Sequence, residues 1–125
     1  SIDLVVFRYS DVLLSLAEAI NNTVGPTEEA IALVDRIRAR VGLPKLLEEQ
    51  TADRGSFNNA ILHERKHELY CEGFSREDLI RHGKLIETLS QFPGSNPSLD
   101  KILYPIPQSA ITRSKGIIKQ NPGYN

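Results

Sequence analysis

One charged stretch decides the fold of this chain: Ile61-Leu62-His63-Glu64-Arg65-Lys66-His67-Glu68-Leu69-Tyr70-Cys71-Glu72-Gly73, followed at once by Phe74-Ser75-Arg76-Glu77-Asp78-Leu79-Ile80-Arg81-His82-Gly83-Lys84. It allows two interpretations. In the first, His63-Glu64-x-x-His67 is a zinc-peptidase pattern, because imidazoles one helical turn apart can bind one metal ion while the glutamate acts as base. In the second, the charged residues around the histidines matter most. These are Glu64, Arg65, Glu68, Glu72, Arg76, Asp78 and Arg81.

Composition excludes several classes of protein. The chain has 125 residues and a net charge of −1, so neither a nucleic-acid partner nor an anionic membrane surface is indicated. No apolar run approaches the ~20 residues needed to cross a bilayer. We predict a single domain over residues 1–125. The sequence begins in mid-pattern, without a signal peptide or a lipid-attachment cysteine, and we therefore expect it to be part of a longer protein.

Apolar residues at helical spacing predict an all-α architecture of two helix pairs joined by short turns. The predicted helix starts are Ser10, Thr27, Ser56 and Ser75, and the predicted ends or weak points are Asn21-Asn22, Gly42, Gly73 and Gly83. Residues 1–8 are predicted to form an extended lead-in or a strand remnant. Beyond Gln91 the Pro/Gly-rich sequence leaves room only for a one-turn helix near Ser109 to Arg113.

The Glu64 to Arg81 stretch resembles the E-R-x-x-E-L-x-x-E-G-x-x-R-x-D-L-x-R signature of the SusD/RagB family. Four further blocks, in the same order, resemble segments of that family's C-terminal region: Phe7 to Ala19, Asp35 to Pro44, Leu103 to Gln108 and Gln120 to Tyr124. Departures from the family pattern include Asp35 in place of Asn, Phe74-Ser75 and Glu77 in an aromatic-rich stretch, and His82 in place of Trp. We therefore identify the chain as resembling the C-terminal part of a SusD/RagB-like protein.

This resemblance implies a function. Proteins of the family are lipoproteins on the outer face of the outer membrane of Bacteroidetes-type bacteria. They capture glycan or other nutrients for polysaccharide utilisation and cap a TonB-dependent transporter of the SusC type. Their C-terminal helices form a tetratricopeptide-like scaffold, and ligand contacts come largely from parts absent here. The resemblance thus implies a non-enzymatic protein without cofactor, attached to the membrane only through a lipid anchor that this chain lacks.

The charged signature itself has a functional and a structural interpretation. Three of its glutamates share a helix face and could serve acid–base chemistry or a cation. Alternatively, arginines of the same stretch or of the Arg36/Arg38/Arg40 set could hold them in a partly buried ion-pair network that fixes helix register. We predict the structural role for Glu64, Arg65, Glu68, Glu72, Arg76, Asp78 and Arg81. No catalytic, cofactor-binding or metal-binding residue is assigned, and the ligand-binding residues remain unassigned.

Two alternatives from other classes stay open at this point: a zinc metallopeptidase, with Glu87 as third ligand of His63 and His67, and a generic helical interaction module. Against the first, both histidines occupy unspecified positions of the family signature, and we expect them to face solvent. Cys71 is expected to be a small buried hydrophobe. The aromatic side chains, which could in principle stack on sugars, are expected to pack in the core.

Overall fold

The structure is a computed structural model that describes residues 6–124. Within that range all regular structure is helical, which confirms the predicted all-α class. The α-helices are α1 (Tyr9–Val24), α2 (Glu28–Arg40), α3 (Glu48–Thr51), α4 (Arg54–Glu68), α5 (Ser75–Arg81), α6 (Leu85–Ser90) and α7 (Gln108–Arg113), with a 3-10 turn at Leu99–Lys101. Of the predicted lead-in, residues 1–5 lie outside the described residues, and residues 6–8 have no regular structure.

The chain divides into two compact units. The first ends at Asp78 and the second begins at Leu79, so the division falls within α5. The prediction of a single domain over residues 1–125 stays a prediction.

The core of the first unit lies between α1, α2 and α4. Helix α1 contacts both α2 and α4, and the short α3 contacts α4. The apolar side chains that are fully shielded from solvent there are Leu14, Ala17, Ala30, Val34, Phe57 and Ile61. Truncating one large member of such a core typically costs ~2–5 kcal/mol, because the cavity that remains closes only in part. These apolar contacts hold α1 against both α2 and α4, and α4 carries Glu64, Arg65 and Glu68 of the charged signature.

Of the four predicted helix starts, Thr27 agrees with the structure as a cap, Ser10 and Ser56 do not, and α5 begins at Ser75 itself. Thr27 caps α2 as predicted, and its hydroxyl accepts a hydrogen bond from the Ala30 N–H at 3.2 Å. Helix α1 begins at Tyr9, so the prediction of Ser10 as its cap is wrong. The predicted cap of α4, Ser56, is also wrong. Asp53 caps that helix, and its carboxylate accepts bonds from both the N–H and the hydroxyl of Ser56.

Helix α4 ends at Glu68 rather than at Gly73. Leu69 closes it, and the chain then passes through two left-handed positions, Cys71 (φ 63°) and Gly73 (φ 89°). Gly73 has the predicted left-handed conformation, but it lies in the loop between α4 and α5 and does not cap α4. Gly83, also left-handed at φ 67°, separates α5 from α6 and confirms the predicted weak point.

In the second unit, hydrogen bonds between side chains and the backbone fix the conformation of the C-terminal tail. The Gln120 amide accepts from the Ile106 N–H at 2.7 Å and donates to the Ile106 carbonyl at 2.9 Å. The Asn121 amide and the Tyr124 hydroxyl donate to carbonyls of 104 and 103. Backbone groups that no helix or strand satisfies thus find partners within the motif Gln120 to Tyr124. The predicted one-turn helix in this region is confirmed as α7.

Candidate functional site

Three residues of the charged signature, Glu64, Arg65 and Glu68, lie on α4. The adjacent Glu64 and Arg65 face different neighbouring helices. Glu64 and Arg65 are both buried, with 6% and 3% of their surface exposed. Because neighbours on a helix point about a quarter turn or more apart, one of them pairs with α2 and the other with α1 and α5. Buried charges on α4 therefore reach three helices at once.

Arg65 lies between two buried aspartates. Its Nη1 is 2.9 Å from Asp11 Oδ1 on α1, and its Nε donates to Asp78 Oδ2 on α5 at 2.8 Å. Nη1 also donates to the Ser15 hydroxyl at 3.0 Å, and the guanidinium carbon lies 5.9 Å from the centre of the Phe74 ring. All three charged side chains are at most 10% exposed. The planar guanidinium thus satisfies several acceptors in fixed directions, which a lysine could not do.

Glu64 pairs with the end of α2. Its Oε2 accepts from Arg38 Nη1 at 2.8 Å, and Arg38 Nε donates to the Pro44 carbonyl at the same distance. The side chains are 7% and 15% exposed. One arginine therefore ties α4 to α2 and to the loop that follows α2.

Glu68 forms ion pairs with two arginines. Its carboxylate lies 2.6 Å from Arg8 Nη1 and 2.7 Å from Arg40 Nη2. Arg8 also donates to the Glu68 backbone carbonyl, to the Ser10 hydroxyl and, at 2.8 Å, to Glu72. Burial alone would raise the pKa of Glu68, but the bonds from Arg8 and Ser10 and the Arg40 charge outweigh it and lower that pKa below its usual value. Glu72, and then Glu68, hold the pKa of Arg8 above its usual range although burial opposes this.

The structure thus brings five residues of the predicted set, Glu64, Arg65, Glu68, Glu72 and Asp78, into ion pairs. The remaining two, Arg76 and Arg81, lie on α5 and each has an interaction of its own. Arg38 and Arg40 meet Glu64 and Glu68, whereas Arg36 contacts Tyr9. The set assigned from the sequence did not include Arg8 and Asp11. The signal that could have found them is the Phe7 to Ala19 block, which places both at the start of α1.

The peptidase pattern is split between two faces of α4. His63 and His67 are exposed, as expected, and their Nε2 atoms lie 3.2 Å apart. Glu64, the general base of such an enzyme, is buried and held by Arg38. Among residues 6–124, no three His, Cys, Asp or Glu side chains are grouped to hold a metal. Glu87, the third ligand of that alternative, bonds to Lys84 within the second unit.

An open cleft of about 460 Å³ lies beside the ion pairs. Its walls are Arg8, Tyr9, Ser10, Leu13, Arg36, Ile37, Arg40 and Glu68. The Arg36 guanidinium lies 5.4 Å from the centre of the Tyr9 ring, a separation typical of a cation–π contact. Because Arg8 and Arg40 already bind Glu68, this cleft is bordered by charges that are largely satisfied within the helices.

The burial of most aromatic side chains and of the cysteine differs from the sequence prediction. Phe57 is fully buried, but the expectation of core packing is wrong for five aromatics that are at least 60% exposed: Phe7, Tyr9, Tyr70, Phe92 and Tyr104. Cys71 is exposed as well, since it lies in the left-handed turn after α4 instead of on a buried helix face. The core of the first unit is built mainly from aliphatic side chains and one phenylalanine.

The fold is all-helical over the described residues, and ion pairs of Arg38 and Arg65 join α4 to α1, α2 and α5. The sequence model of the SusD family matches residues 1–124, and the chain belongs to that family. It is 37% identical over 111 residues to SusD-like protein P38 of Formosa agariphila, covering 83% of this chain and 21% of that protein. It is 32% identical to SusD-like protein P2 of the same organism, covering 99% of this chain and 26% of that relative.

The fold also resembles a solved structure over nearly the whole of this chain. Surface glycan-binding protein A from Bacteroides thetaiotaomicron superposes with a TM-score of 0.78 at 30% identity, over 94% of this chain and 24% of that one. The chain therefore spans between about a fifth and about a quarter of the length of these relatives.

Proposed function

We propose that the protein binds a nutrient, glycan or another, without catalysing its conversion, and works with a TonB-dependent transporter of the SusC type. This chain supplies the helical C-terminal scaffold. The observation that carries the proposal is the match to the SusD family over residues 1–124. The likeness to a protein named for surface glycan binding supports the choice of ligand class. The assignment of the charged network as structural belongs to this proposal, since the carboxylates of Glu64, Glu68, Glu72 and Asp78 each pair with an arginine.

The proposed location is the outward face of the outer membrane, with a lipid anchor on the full-length protein. No helix in the part of the chain that the structure describes is long and apolar enough to span a bilayer. Surface biotinylation of whole cells, followed by detergent partition, tests this location. We expect labelling of intact cells and partition with lipoproteins. Labelling only after lysis would contradict the proposal.

Binding and partnership are tested with the full-length protein. We expect isothermal titration to give saturable heat with at least one oligosaccharide of a broad panel, and a β-barrel transporter to co-purify from mild detergent. The Glu49→Gln variant is the control, because it replaces an exposed, non-aromatic side chain on α3 and should not affect either readout. No binding to any glycan or other nutrient tested, together with no transporter in the purified complex, would refute the proposal.

The absence of catalysis has its own test. Full-length protein incubated with polysaccharides and with peptides should release neither reducing ends nor new amino termini. The His67→Ala variant serves as the control for zinc chemistry, since His67 is exposed and its loss should leave the fold intact. Peptide cleavage that is lost in this variant and in chelator would restore the peptidase interpretation.

A further inference from the structure

Two histidines form an exposed pair that the nutrient-binding function does not use. His63 and His67 lie on successive turns of α4, where residues four apart are neighbours. Their ring centres are 4.5 Å apart with the planes tilted by 55°, and their Nε2 atoms are separated by 3.2 Å. Both rings are exposed, so a ligand could reach the two nitrogens from solvent.

The separation of the nitrogens matches the bite of a metal ion. Two imidazole nitrogens, each about 2.0–2.1 Å from Zn²⁺, lie about 3.3 Å apart at a tetrahedral angle and about 2.9 Å apart at a right angle. The observed 3.2 Å falls between these values. A hydrogen bond between one protonated and one unprotonated nitrogen gives a similar distance, and a metal ion would replace the shared proton. The separation of the two nitrogens therefore suits either state.

The ligand type and the neighbouring charged residues indicate which metal ions the pair could bind and how. Imidazole suits Zn²⁺, Cu²⁺ and Ni²⁺ better than the hard cations Mg²⁺ and Ca²⁺. Among residues 6–124 no third His, Cys, Asp or Glu completes the set, so water fills the other positions. The pair lies in the last turns of α4, where the helix dipole favours a cation, although the exposed Lys66 between them opposes it. Glu64 is held by Arg38 and is not available to activate a bound water.

We propose that His63 and His67 form a two-nitrogen site that binds one divalent transition-metal ion exchangeably. It is a binding site without hydrolytic function and does not depend on the proposed glycan-binding role. Its affinity is micromolar, because two protein ligands contribute far less than the three or four of a resident zinc site. The ion links two turns of α4 and should therefore also stabilise the folded chain.

Titration of Zn²⁺ into tag-free chain, first treated with chelator and then exchanged into metal-free buffer, tests the proposal. We expect one ion per chain with a micromolar Kd and a rise in Tm with zinc concentration. His63→Ala and His67→Ala should each weaken binding about tenfold or more. His82→Gln removes the remaining histidine of the sequence and should leave the Kd unchanged.

A composition-matched variant separates the geometry from the number of histidines. His63→Lys combined with Lys66→His places two histidines at adjacent positions of α4, which do not face each other on a helix. Binding should fall as far as in the single alanine variants, while circular dichroism remains helical. Retention of the wild-type Kd would overturn the proposal, as would a wild-type chain without saturable binding below the millimolar range.

A measurement on the wild-type chain keeps the test independent of how the variants fold. Cu²⁺ added at less than one equivalent should give an electron spin echo modulation pattern of two imidazole nitrogens per copper. A pattern of one imidazole, or of water and backbone ligands only, would show that the pair does not chelate.

Discussion

At the scale of single residues, Arg65 is the member of the charged signature whose substitution should destabilise the fold most. Its guanidinium lies between Asp11 and Asp78, and all three side chains are at most 10% exposed. Removal of the arginine would leave two carboxylates buried in one place without their cation, and they would also repel each other. A buried pair of this kind adds little net stability relative to apolar residues, but breaking it is costly.

Arg65→Ala should therefore lower the free energy of unfolding by ~3–5 kcal/mol. Urea unfolding followed by circular dichroism measures the change. Lys66→Ala is the matched control, since Lys66 is the next residue on α4 and is exposed, and it should change stability by less than ~0.5 kcal/mol. Equal midpoints for the two variants would show that the Arg65 ion pairs contribute nothing to stability.

Glu68 makes the stability of the chain depend on pH in a definite direction. Its pKa in the folded chain is lowered from an ordinary value of 4.5, so the folded state binds a proton less readily than the unfolded state. The stabilisation is thus complete above about pH 4.5 and is lost as the pH falls through the lower, folded-state pKa. Glu68→Gln should be less stable than wild type at neutral pH, and the difference should shrink below about pH 4.5.

Chemical denaturation of both proteins at a series of pH values measures this difference. Glu49→Gln, at an exposed position of α3, is the control and should give a small difference that changes little with pH. A Glu68→Gln difference that grows as the solution is acidified would contradict the assigned direction of the pKa shift.

At the scale of helices, local sequence patterns predicted the elements but not all of their boundaries. Thr27 and Gly83 act as the sequence predicts, because capping and a left-handed turn depend on residues next to them in the chain. The start of α1 was misplaced because Ser10 bonds to Arg8 instead of the helix N–H groups, and Arg8 is held by glutamates more than 55 residues away in sequence. Such long-range partners cannot be read from local periodicity.

The candidate site follows the same rule. The spacing of the signature placed Glu64, Arg65 and Glu68 on one helix, which was enough to expect ion pairs. Their partners Arg8 and Asp11 come from α1, and only tertiary packing brings them within bonding distance. Exposure of Tyr70 and Cys71 was missed for a related reason. Helix α4 ends at Glu68, so the helical period used to place them no longer applies.

The start of α4 gives a test at this scale. Asp53 accepts bonds from the N–H and hydroxyl of Ser56, and these bonds lower the pKa of its carboxyl. Asp53→Ala should lower the free energy of unfolding, and Asp53→Asn should recover most of the loss. Ser56→Ala removes only the hydroxyl partner and should cost less. If Ser56→Ala proved the more damaging change in thermal melts, the cap would belong to Ser56 after all.

At the scale of the whole molecule, each of the two compact units exposes large apolar side chains. They include Phe7, Tyr70, Leu99, Tyr104 and Ile117, each at least 70% exposed. Relatives of the chain are about four times its length, so in a protein of that size other parts could cover such residues. Exposed apolar area of this kind commonly marks a contact surface.

The isolated chain should therefore bind glycan weakly or not at all and should self-associate instead. Glycan capture requires aromatic planes and convergent polar groups in one concavity. Here the chain has no tryptophan, and the cleft beside α1 carries a single aromatic, Tyr9, whose ring is in cation–π contact with Arg36. Sedimentation velocity over a wide concentration range should show reversible association that weakens in Ile117→Ser, because Ile117 is 86% exposed. The exposed Lys119→Ser serves as the control, since it removes a charged side chain from the same segment without removing apolar area. A monomer at all concentrations that also binds an oligosaccharide with micromolar affinity, lost in Tyr9→Ala, would place a complete ligand site within these helices.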